Sequence, residues 1–253
     1  MSGQKFYSQL YQEDLYGEAE WLRRGALEKV TSVVELLTSV DVRPRVLAEL
    51  GCGTGAVIQE CQRQTIADGF VAVDASADAI AHLKKNAPGI TAHQGDITTL
   101  DWSKLGGVDV VILCHVLEHL EDPATFLTEL TRRCTAQWLV VEVPLDDLLV
   151  SRLKSLFRNR HNNSAGHVQF FTPKSFMALL ESVGLEVVSQ RHYIPRQSIE
   201  TVRFVAAKDG QSKLATALRL FTAHYGPRWL TPLWRRWYYA HHAVLIRLPG
   251  PDS

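Results

Sequence analysis

The sequence lacks a long apolar run, and none of its hydrophobic stretches approaches the roughly 18 residues that a membrane-spanning helix requires. We therefore expect no stable membrane insertion. The first residues also lack a positively charged start followed by an apolar stretch, which argues against a secretory signal. A cytoplasmic location is the resulting expectation.

Cysteine is scarce, with 4 in 253 residues and no CxxC pair. This argues against a disulfide framework and against zinc-cluster spacing, so we expect reduced thiols. Neither His241 nor His242 has metal-ligand spacing with other residues, and we predict ordinary strand-edge positions for both and no metal site. The cysteines are Cys52, Cys61, Cys114 and Cys134.

The formal net charge is zero, because 27 Lys and Arg residues balance 27 Asp and Glu residues. Phosphate contacts usually leave a nucleic-acid-binding domain strongly basic, so we predict no nucleic-acid partner. The charge is unevenly distributed, however. Residues 142–253 carry 15 basic against 8 acidic side chains, and residues 1–141 carry the opposite excess. The C-terminal half should therefore attract anions.

Strand-like and helix-like segments alternate up to Pro144. Apolar runs such as RVLAEL, GFVAVD and VDVVILC are separated by amphipathic segments such as ADAIAHLKKNA. Continuous apolar strands separated by helices indicate a parallel sheet covered on both faces. We therefore predict an α/β fold with helices on both faces of the sheet, in a single domain over residues 1–253.

Three segments lie outside this alternation. Residues 1–40 are predicted as an N-terminal helical cap, residues 145–171 form a basic connection, and residues 196–240 are an Arg- and Trp-rich insertion. We interpret the insertion as a lid or a dimer surface that precedes a last strand at Ala243–Pro249. The run ETVRFVAAK is an alternative last strand, in which case everything after it is an appendix.

Three glycines occur within five residues after the first strand, in VLAELGCGTG. The first strand-to-helix turn of an open parallel sheet lies where ligands bind, and glycine allows positive φ and close approach to a ligand. The GxGxG spacing differs from the GxGxxG of dinucleotide-binding folds, which disfavours a nicotinamide-dependent reductase. Glu49 at the strand end suits a ligand that carries an amine or a sulfonium. The glycines are Gly51, Gly53 and Gly55.

The following strand ends supply further contacts at the same edge. The run FVAVD ends at Asp74, where a carboxylate can bind both hydroxyls of a ribose. The run QGD places Asp96 and the Ile97 backbone where a purine would lie, and VILCH brings His115 to the same edge. Four successive strand ends therefore each offer a contact to one nucleoside.

These motifs resemble those of the class I S-adenosylmethionine-dependent methyltransferases, in particular a small-molecule branch similar to the ubiquinone-biosynthesis methyltransferases. The resemblance rests on ELGCGTG, VAVDAS, QGDI, LEHLEDP and GHVQFFTPKSFMALLESVGLEVV. It implies a Rossmann-like doubly wound sheet of seven strands, mostly parallel with one antiparallel strand, and S-adenosylmethionine as the cofactor. The cofactor contacts that it implies are Glu49, Gly51, Cys52, Gly53, Gly55, Asp74, Ala75, Asp96, Ile97 and His115.

The acceptor is less well specified. We expect methyl transfer to a small molecule and favour O-methylation of an anionic or lipid-like metabolite. The alternatives are N-methylation of a small molecule and a non-catalytic cofactor-binding regulatory subunit. The sequence also leaves a homodimer open. An oxygen acceptor with a high pKa requires a general base. The candidate catalytic residues are His119, Glu142 and His167. A structural hydrogen bond is the alternative for His119, and a solvent-facing position or a pairing with an arginine is the alternative for Glu142. The candidate acceptor-binding residues are Tyr7, Tyr11, Arg158, Arg160 and His167.

Overall fold

The computed structural model describes residues 3–145, 166–232, 234 and 240–249, and it contains one seven-stranded sheet. The strands are β1 (Val46–Leu50), β2 (Gly69–Asp74), β3 (Thr91–Gln94), β4 (Val110–Cys114), β5 (Trp138–Leu145), β6 (Val187–Tyr193) and β7 (Ala240–Arg247).

Helices flank this sheet. The α-helices among the described residues are α1 (Gly3–Thr38), α2 (Ala56–Arg63), α3 (Ala77–Asn86), α4 (Pro123–Arg133), α5 (Pro173–Ser182), α6 (Ile199–Lys208), α7 (Lys213–Leu220) and α8 (Gly226–Trp229). Short 3₁₀ turns cover Trp102–Leu105 and Leu117–His119, and a π-helical turn at Phe221–Tyr225 joins α7 to α8. No helix of the described residues is both long and apolar enough to cross a membrane.

The strand order is β3-β2-β1-β4-β5-β7-β6. Strands β1 to β5 pair in parallel, and β7 is antiparallel to both of its neighbours, β5 and β6. This confirms the predicted sheet of seven strands with one antiparallel member. The order reverses between β1 and β4, so a ligand crevice is expected beyond the carboxyl ends of these two strands.

The central strands are buried on both faces, as their uninterrupted apolar sequences predict. On β1, Leu47 and Ala48 belong to the two separate apolar clusters that cover opposite faces of the sheet. Val111 and Ile112 alternate between the same two clusters on β4. Successive strand residues point to opposite faces, so a strand covered on both sides must be apolar throughout.

The N-terminal helix α1 is interrupted at Asp14, whose backbone leaves helical geometry and whose carboxylate accepts a hydrogen bond from the Gly17 N–H at 3.0 Å. Beyond this break, Val30, Val33 and Leu37 form the buried stripe that packs on the sheet side. The segment predicted as an N-terminal helical cap, residues 1–40, is therefore helical from Gly3 to Thr38, with one break at Asp14.

The insertion between β6 and β7 is helical. The run ETVRFVAAK lies in α6, which Ser198 caps through its hydroxyl, so the alternative prediction of a strand there is wrong. The last strand is β7, which confirms the prediction of a last strand near Ala243–Pro249. It begins at Ala240, three residues before the predicted start. Trp229 and Leu214 are largely exposed on this insertion; its role as a lid or dimer surface stays a prediction.

Candidate active site

A cavity of about 800 Å³ lies beyond the carboxyl ends of β1 to β4. Its walls include side chains from α1 and from the start of α6, so the N-terminal helix and the insertion both contribute to it. Most of the predicted site residues line it, namely Tyr11, Glu49, Gly51, Cys52, Gly53, Asp74, Ala75, Asp96, Ile97, His115, His119 and His167.

Five predicted residues are not placed there. Gly55 and Glu142 do not line the cavity. Arg158 and Arg160, on which the predicted basic acceptor contacts depend, lie outside the described residues, as does the side chain of Tyr7.

The glycine loop forms the cavity wall because its backbone adopts positive φ. Gly51 has φ +71°, and a Cβ there would come within 2.8 Å of Val116 Cγ2; Gly53 has φ +54°, and a Cβ there would collide with the hydroxyl of Tyr11. The Gly51 N–H donates to the Val73 carbonyl at 2.8 Å, which holds the loop against β2. Only glycine fits this loop, and bare backbone is therefore left facing the cavity.

Gly55 has a packing role in the loop. It is the N-cap of α2 with φ +78°, and a Cβ added there would lie 2.5 Å from Leu83 Cδ1. The absence of a side chain therefore lets α2 pack closely against α3. The contact of Gly55 with the cofactor stays a prediction.

The carboxylate of Asp74 joins two backbone segments. Its Oδ2 accepts from the Gly53 N–H at 2.7 Å, and its Oδ1 accepts from the Ser76 N–H at 2.8 Å. Ser76, rather than Asp74, caps α3 through the Ala79 N–H. Burial raises the pKa of Asp74, and these backbone donors oppose that shift. Each carboxylate oxygen retains a lone pair, and the carboxylate lines the cavity.

Asp96 lies on the turn after β3. Its Oδ1 accepts from the Thr98 backbone N–H at 2.9 Å and from the Thr98 hydroxyl at 2.8 Å. These bonds hold the turn that presents Asp96 and Ile97 to the cavity. The predicted pair of contacts is therefore brought together on one side of the cavity.

Glu49 is almost fully buried behind the glycine loop, and its Oε2 accepts from the Ile58 N–H at 2.9 Å. Burial raises the pKa of Glu49 to about 8, although the nearby Lys29 ammonium lowers it. The carboxyl group is therefore largely protonated at neutral pH until a cation approaches it. Lys29, which projects from α1, also lines the cavity.

A polar cluster lies at the floor of the cavity, between the ends of β4, β5, β6 and β7. His115 has φ +58°, and its Nε2 lies 3.3 Å from His241 Nδ1 and 3.5 Å from Glu142 Oε1. The Tyr193 hydroxyl donates to Glu142 Oε1 at 2.7 Å and lies 2.9 Å from His241 Nδ1. His241 Nδ1 is 3.0 Å from Glu142 Oε1, so four polar atoms converge on one point.

The electrostatics of this cluster follow from burial and from its internal contacts. Burial lowers the pKa of His115 well below its ordinary value, and the positive charge of Lys29 acts in the same direction. Burial alone would raise the pKa of Glu142, but hydrogen bonds from His115 and His241 outweigh it and hold that pKa well below its usual range. Glu142 is therefore a buried, ionised carboxylate.

A second group of polar side chains adjoins the first. Glu118 is fully buried, and its Oε1 lies 3.4 Å from His115 Nδ1 and 3.9 Å from His119 Nε2. The ring of His119 contacts the edge of His167 at 5.0 Å between centroids, and His119 Nδ1 lies 3.2 Å from the Gly166 carbonyl oxygen. His119 therefore makes structural contacts and also faces the cavity.

Residues 20–190 match a family model described as a methyltransferase domain. The chain belongs to this methyltransferase family. Class I methyltransferase architecture and S-adenosylmethionine as the cofactor, both predicted from the sequence, are confirmed; the closer resemblance to the ubiquinone-biosynthesis branch stays a prediction.

The methyltransferase is similar to curated relatives over part of their length. It is 29% identical over 157 residues to the trans-aconitate 2-methyltransferase of Acidovorax ebreus (strain TPSY), covering 62% of this chain and 60% of the relative. It is 32% identical over 121 residues to a probable S-adenosylmethionine-dependent methyltransferase of Mycobacterium tuberculosis, covering 47% of this chain and 40% of the relative.

Solved structures share the fold at low identity. The phosphoethanolamine N-methyltransferase 2 of Haemonchus contortus, solved with phosphomonomethylethanolamine and S-adenosylhomocysteine, aligns over 99% of this chain and 61% of its own, with TM-score 0.66 and 12% identity. The N-methyltransferase NodS of Bradyrhizobium japonicum, solved with S-adenosylhomocysteine, covers 88% of this chain and 87% of its own, with TM-score 0.53 and 16% identity.

The cavity of the methyltransferase fits this cofactor. The positive-φ backbone at Gly51 and Gly53 provides the side-chain-free wall that a bulky nucleoside with an amino-acid tail needs. Asp74 retains acceptor capacity toward a ribose, and Glu49 lies within the wall where a cationic group would favour its ionised form.

Several residues of the site have no signal in the sequence. Tyr193, Lys29 and Glu118 occur in segments that the hydrophobic pattern explains as strand, helix and turn. The interpretation of His241 and His242 as strand-edge residues is wrong, because both are buried within β7, between β5 and β6. His242 Nε2 lies 3.0 Å from Gln190 Oε1, and burial lowers the pKa of His242 to about 4.

The cysteines agree with the sequence prediction. All four are buried and free. Burial raises the pKa of the Cys61 and Cys114 thiols well above the ordinary value, which keeps them protonated and unreactive.

Proposed function

We propose that this protein transfers a methyl group from S-adenosylmethionine to an oxygen atom of a small anionic acceptor. The observation that carries the proposal is a cation, Lys29, that lines the cofactor cavity and forms no salt bridge with a carboxylate of the described residues. The cofactor supplies an electrophilic methyl group on positively charged sulfur, so the protein chiefly has to align the acceptor and exclude water.

The cavity is large enough for two ligands. Ligand pockets commonly enclose about 300 to 1,000 Å³, and this one, at about 800 Å³, lies near the upper end of that range. The glycine loop, Asp74 and Asp96 occupy one side of it. The other side is then left for the acceptor. It is formed by α1, the start of α6 and the polar cluster at the cavity floor, which contains His115, Glu142, Tyr193 and His241.

The charges on that second side favour an anion. Lys29 and Arg196 both line the cavity, and neither makes a salt bridge with any carboxylate of the described residues. The two other arginines in the wall are neutralised: Arg24 pairs with Glu20, and Arg219 pairs with Asp209.

A relative supports the same substrate class. The Acidovorax ebreus protein is named trans-aconitate 2-methyltransferase, and aconitate is a carboxylate. A carboxylate acceptor is already ionised at neutral pH, so it requires positioning by cations rather than a general base. In this proposal His119 and His167 contact the acceptor, and Glu142, which does not line the cavity, makes no direct contact with it.

The experiment is a transfer assay with methyl-labelled S-adenosylmethionine and pooled small molecules, separated into an organic-acid pool and an amine pool. We expect label in the organic-acid pool, in a product that mild base hydrolyses, as a methyl ester requires. Base-stable label on nitrogen would identify the alternative N-methyltransferase. Cofactor binding without transfer to either pool would favour a non-catalytic cofactor-binding subunit.

A further inference from the structure

We propose that His115, Glu142 and His241 bind a divalent transition-metal ion at the floor of the cavity. The three ligand atoms, His115 Nε2, Glu142 Oε1 and His241 Nδ1, form a triangle with edges of 3.0, 3.3 and 3.5 Å. Bonds of roughly 2.0–2.1 Å to a tetrahedral ion separate its ligand atoms by about 3.4 Å, so the side chains already stand at metal-binding distances.

The hydrogen bonding of Glu142 supplies an independent observation. All of its described contacts converge on Oε1, whereas Oε2 is buried and has no hydrogen-bond partner. Glu142 is only 1% exposed, and a buried carboxylate oxygen without a partner is costly. An ion that the carboxylate binds through both of its oxygens would offset that cost.

His115 lies between two carboxylates. Its Nδ1 faces Glu118 Oε1 at 3.4 Å, and its Nε2 faces Glu142 Oε1 at 3.5 Å. A single ring proton cannot serve both carboxylates. Without an ion, Nε2–H donates to Glu142; an ion bound to Nε2 requires its lone pair and leaves the ring proton on Nδ1, where it faces Glu118. Metal-bound histidines commonly donate their other N–H to a carboxylate, which is the role that Glu118 takes here.

The floor position also gives the ion access to the cavity. His115, His241 and Tyr193 line the cavity, whereas Glu142 lies behind them. Tyr193 Oη is within 2.9 Å of both Glu142 Oε1 and His241 Nδ1, so the hydroxyl adjoins the same point. Three ligands with an open position toward a cavity are the arrangement of catalytic rather than structural metal sites.

The donor set selects the class of ion. Two imidazole nitrogens and one carboxylate suit Zn²⁺, Fe²⁺ or Co²⁺, whereas Mg²⁺ and Ca²⁺ prefer oxygen ligands. An ion at this position would orient an acceptor carboxylate, a role that rests on the proposed function. Binding of the ion does not depend on that function and is tested without any acceptor.

The experiment loads chelator-treated protein with Zn²⁺, measures bound metal by mass spectrometry after dialysis, and repeats the measurement with Co²⁺, whose visible spectrum reports tetrahedral ligands. We expect one ion per chain in the unaltered protein. Glu142→Gln and His241→Ala should abolish binding, and Glu118→Gln should weaken it by about 10-fold to 100-fold.

The matched control is His119→Ala, because Glu118, His119 and His167 also lie close enough to share an ion. We expect His119→Ala to retain the metal. Loss of metal from His119→Ala with retention in His241→Ala would place the ion in that other group and overturn the proposal, as would an unaltered protein that binds none. Binding of S-adenosylhomocysteine by each variant separates loss of metal from loss of fold, and His241→Asn replaces His241→Ala if the latter fails that check.

Discussion

The carboxylate of Asp74 accepts a hydrogen bond from the Gly53 N–H at 2.7 Å, and this bond joins the end of β2 to the glycine loop after β1. The two features that identify the cofactor site in the sequence are therefore one structural unit. A change in the acidic residue affects the position of the loop as well as the contact to the ribose.

Replacing Asp74 with Asn should weaken binding of S-adenosylhomocysteine by about tenfold or more. The amide keeps the size of the side chain but turns one acceptor oxygen into a donor that faces a backbone N–H, and hydrogen bonds to charged groups contribute about 1.5–3 kcal/mol. Equilibrium dialysis with labelled ligand measures the change. Asp68→Asn, at an exposed aspartate, is the matched control and should bind as the unaltered protein does. Equal affinity in both variants would show that Asp74 does not contact the ligand.

Gly55→Ala should destabilise the protein more than Gly184→Ala. Both glycines have φ above +70°, a backbone conformation that costs about 1–2 kcal/mol for a residue with a Cβ. A Cβ at position 184 meets nothing within 4 Å, whereas one at position 55 overlaps Leu83. Urea denaturation should show an additional loss of about 1–3 kcal/mol for Gly55→Ala. Equal losses in the two variants would contradict the packing role assigned to Gly55.

The stability of the unliganded protein should fall as pH rises from about 4.5 to about 8, through the contribution of Glu49. Its pKa is about 8 in the folded state and near 4.5 when unfolded, so unfolding releases a proton within that window and becomes more favourable as pH rises. The full effect is at most about 5 kcal/mol. Glu49→Gln, which can still accept from the Ile58 N–H, should flatten this part of the profile. Urea denaturation of both proteins across the window measures it, and an unchanged slope would refute the assignment.

Lys29→Gln should raise the KM for an anionic acceptor by about tenfold, equivalent to 1.4 kcal/mol, and change cofactor affinity much less. The reason is the loss of a cation from the acceptor side of the cavity. Lys29→Arg should retain most of the function, and Lys84→Gln, at an exposed lysine on α3, should have no effect. A KM that is insensitive to Lys29→Gln would remove the anionic acceptor from the proposal.

The cofactor side of this site could be predicted from sequence because its signals are local. Continuous apolar strands, glycines in a strand-to-helix turn and acidic residues at strand ends each follow from a few neighbouring residues. Gly51, Asp74 and Asp96 therefore all line the cavity as predicted. Gly55 has the same local signal, but packing against Leu83, 28 positions away, decides its role.

The polar cluster of His115, Glu142, Tyr193 and His241 could not be predicted because its contacts are distant in sequence. Glu142 and His241 meet only because β7 inserts between β5 and β6, and no local pattern encodes that pairing. His241 and His242 precede the continuous apolar run of β7 and therefore resemble an exposed strand end in the sequence. The run ETVRFVAAK is also ambiguous, because β-branched residues at helical spacing fit either a strand or a helix. The hydrogen bond by which Ser198 caps α6 identifies the segment as a helix.

Calorimetric titration of the purified protein with S-adenosylmethionine tests the central claim, a cofactor site built on the glycine loop. The account predicts saturable binding at one site per chain, competition by S-adenosylhomocysteine, and no heat from a nicotinamide dinucleotide. Absence of binding by S-adenosylmethionine, or saturable binding of the dinucleotide in its place, would contradict it.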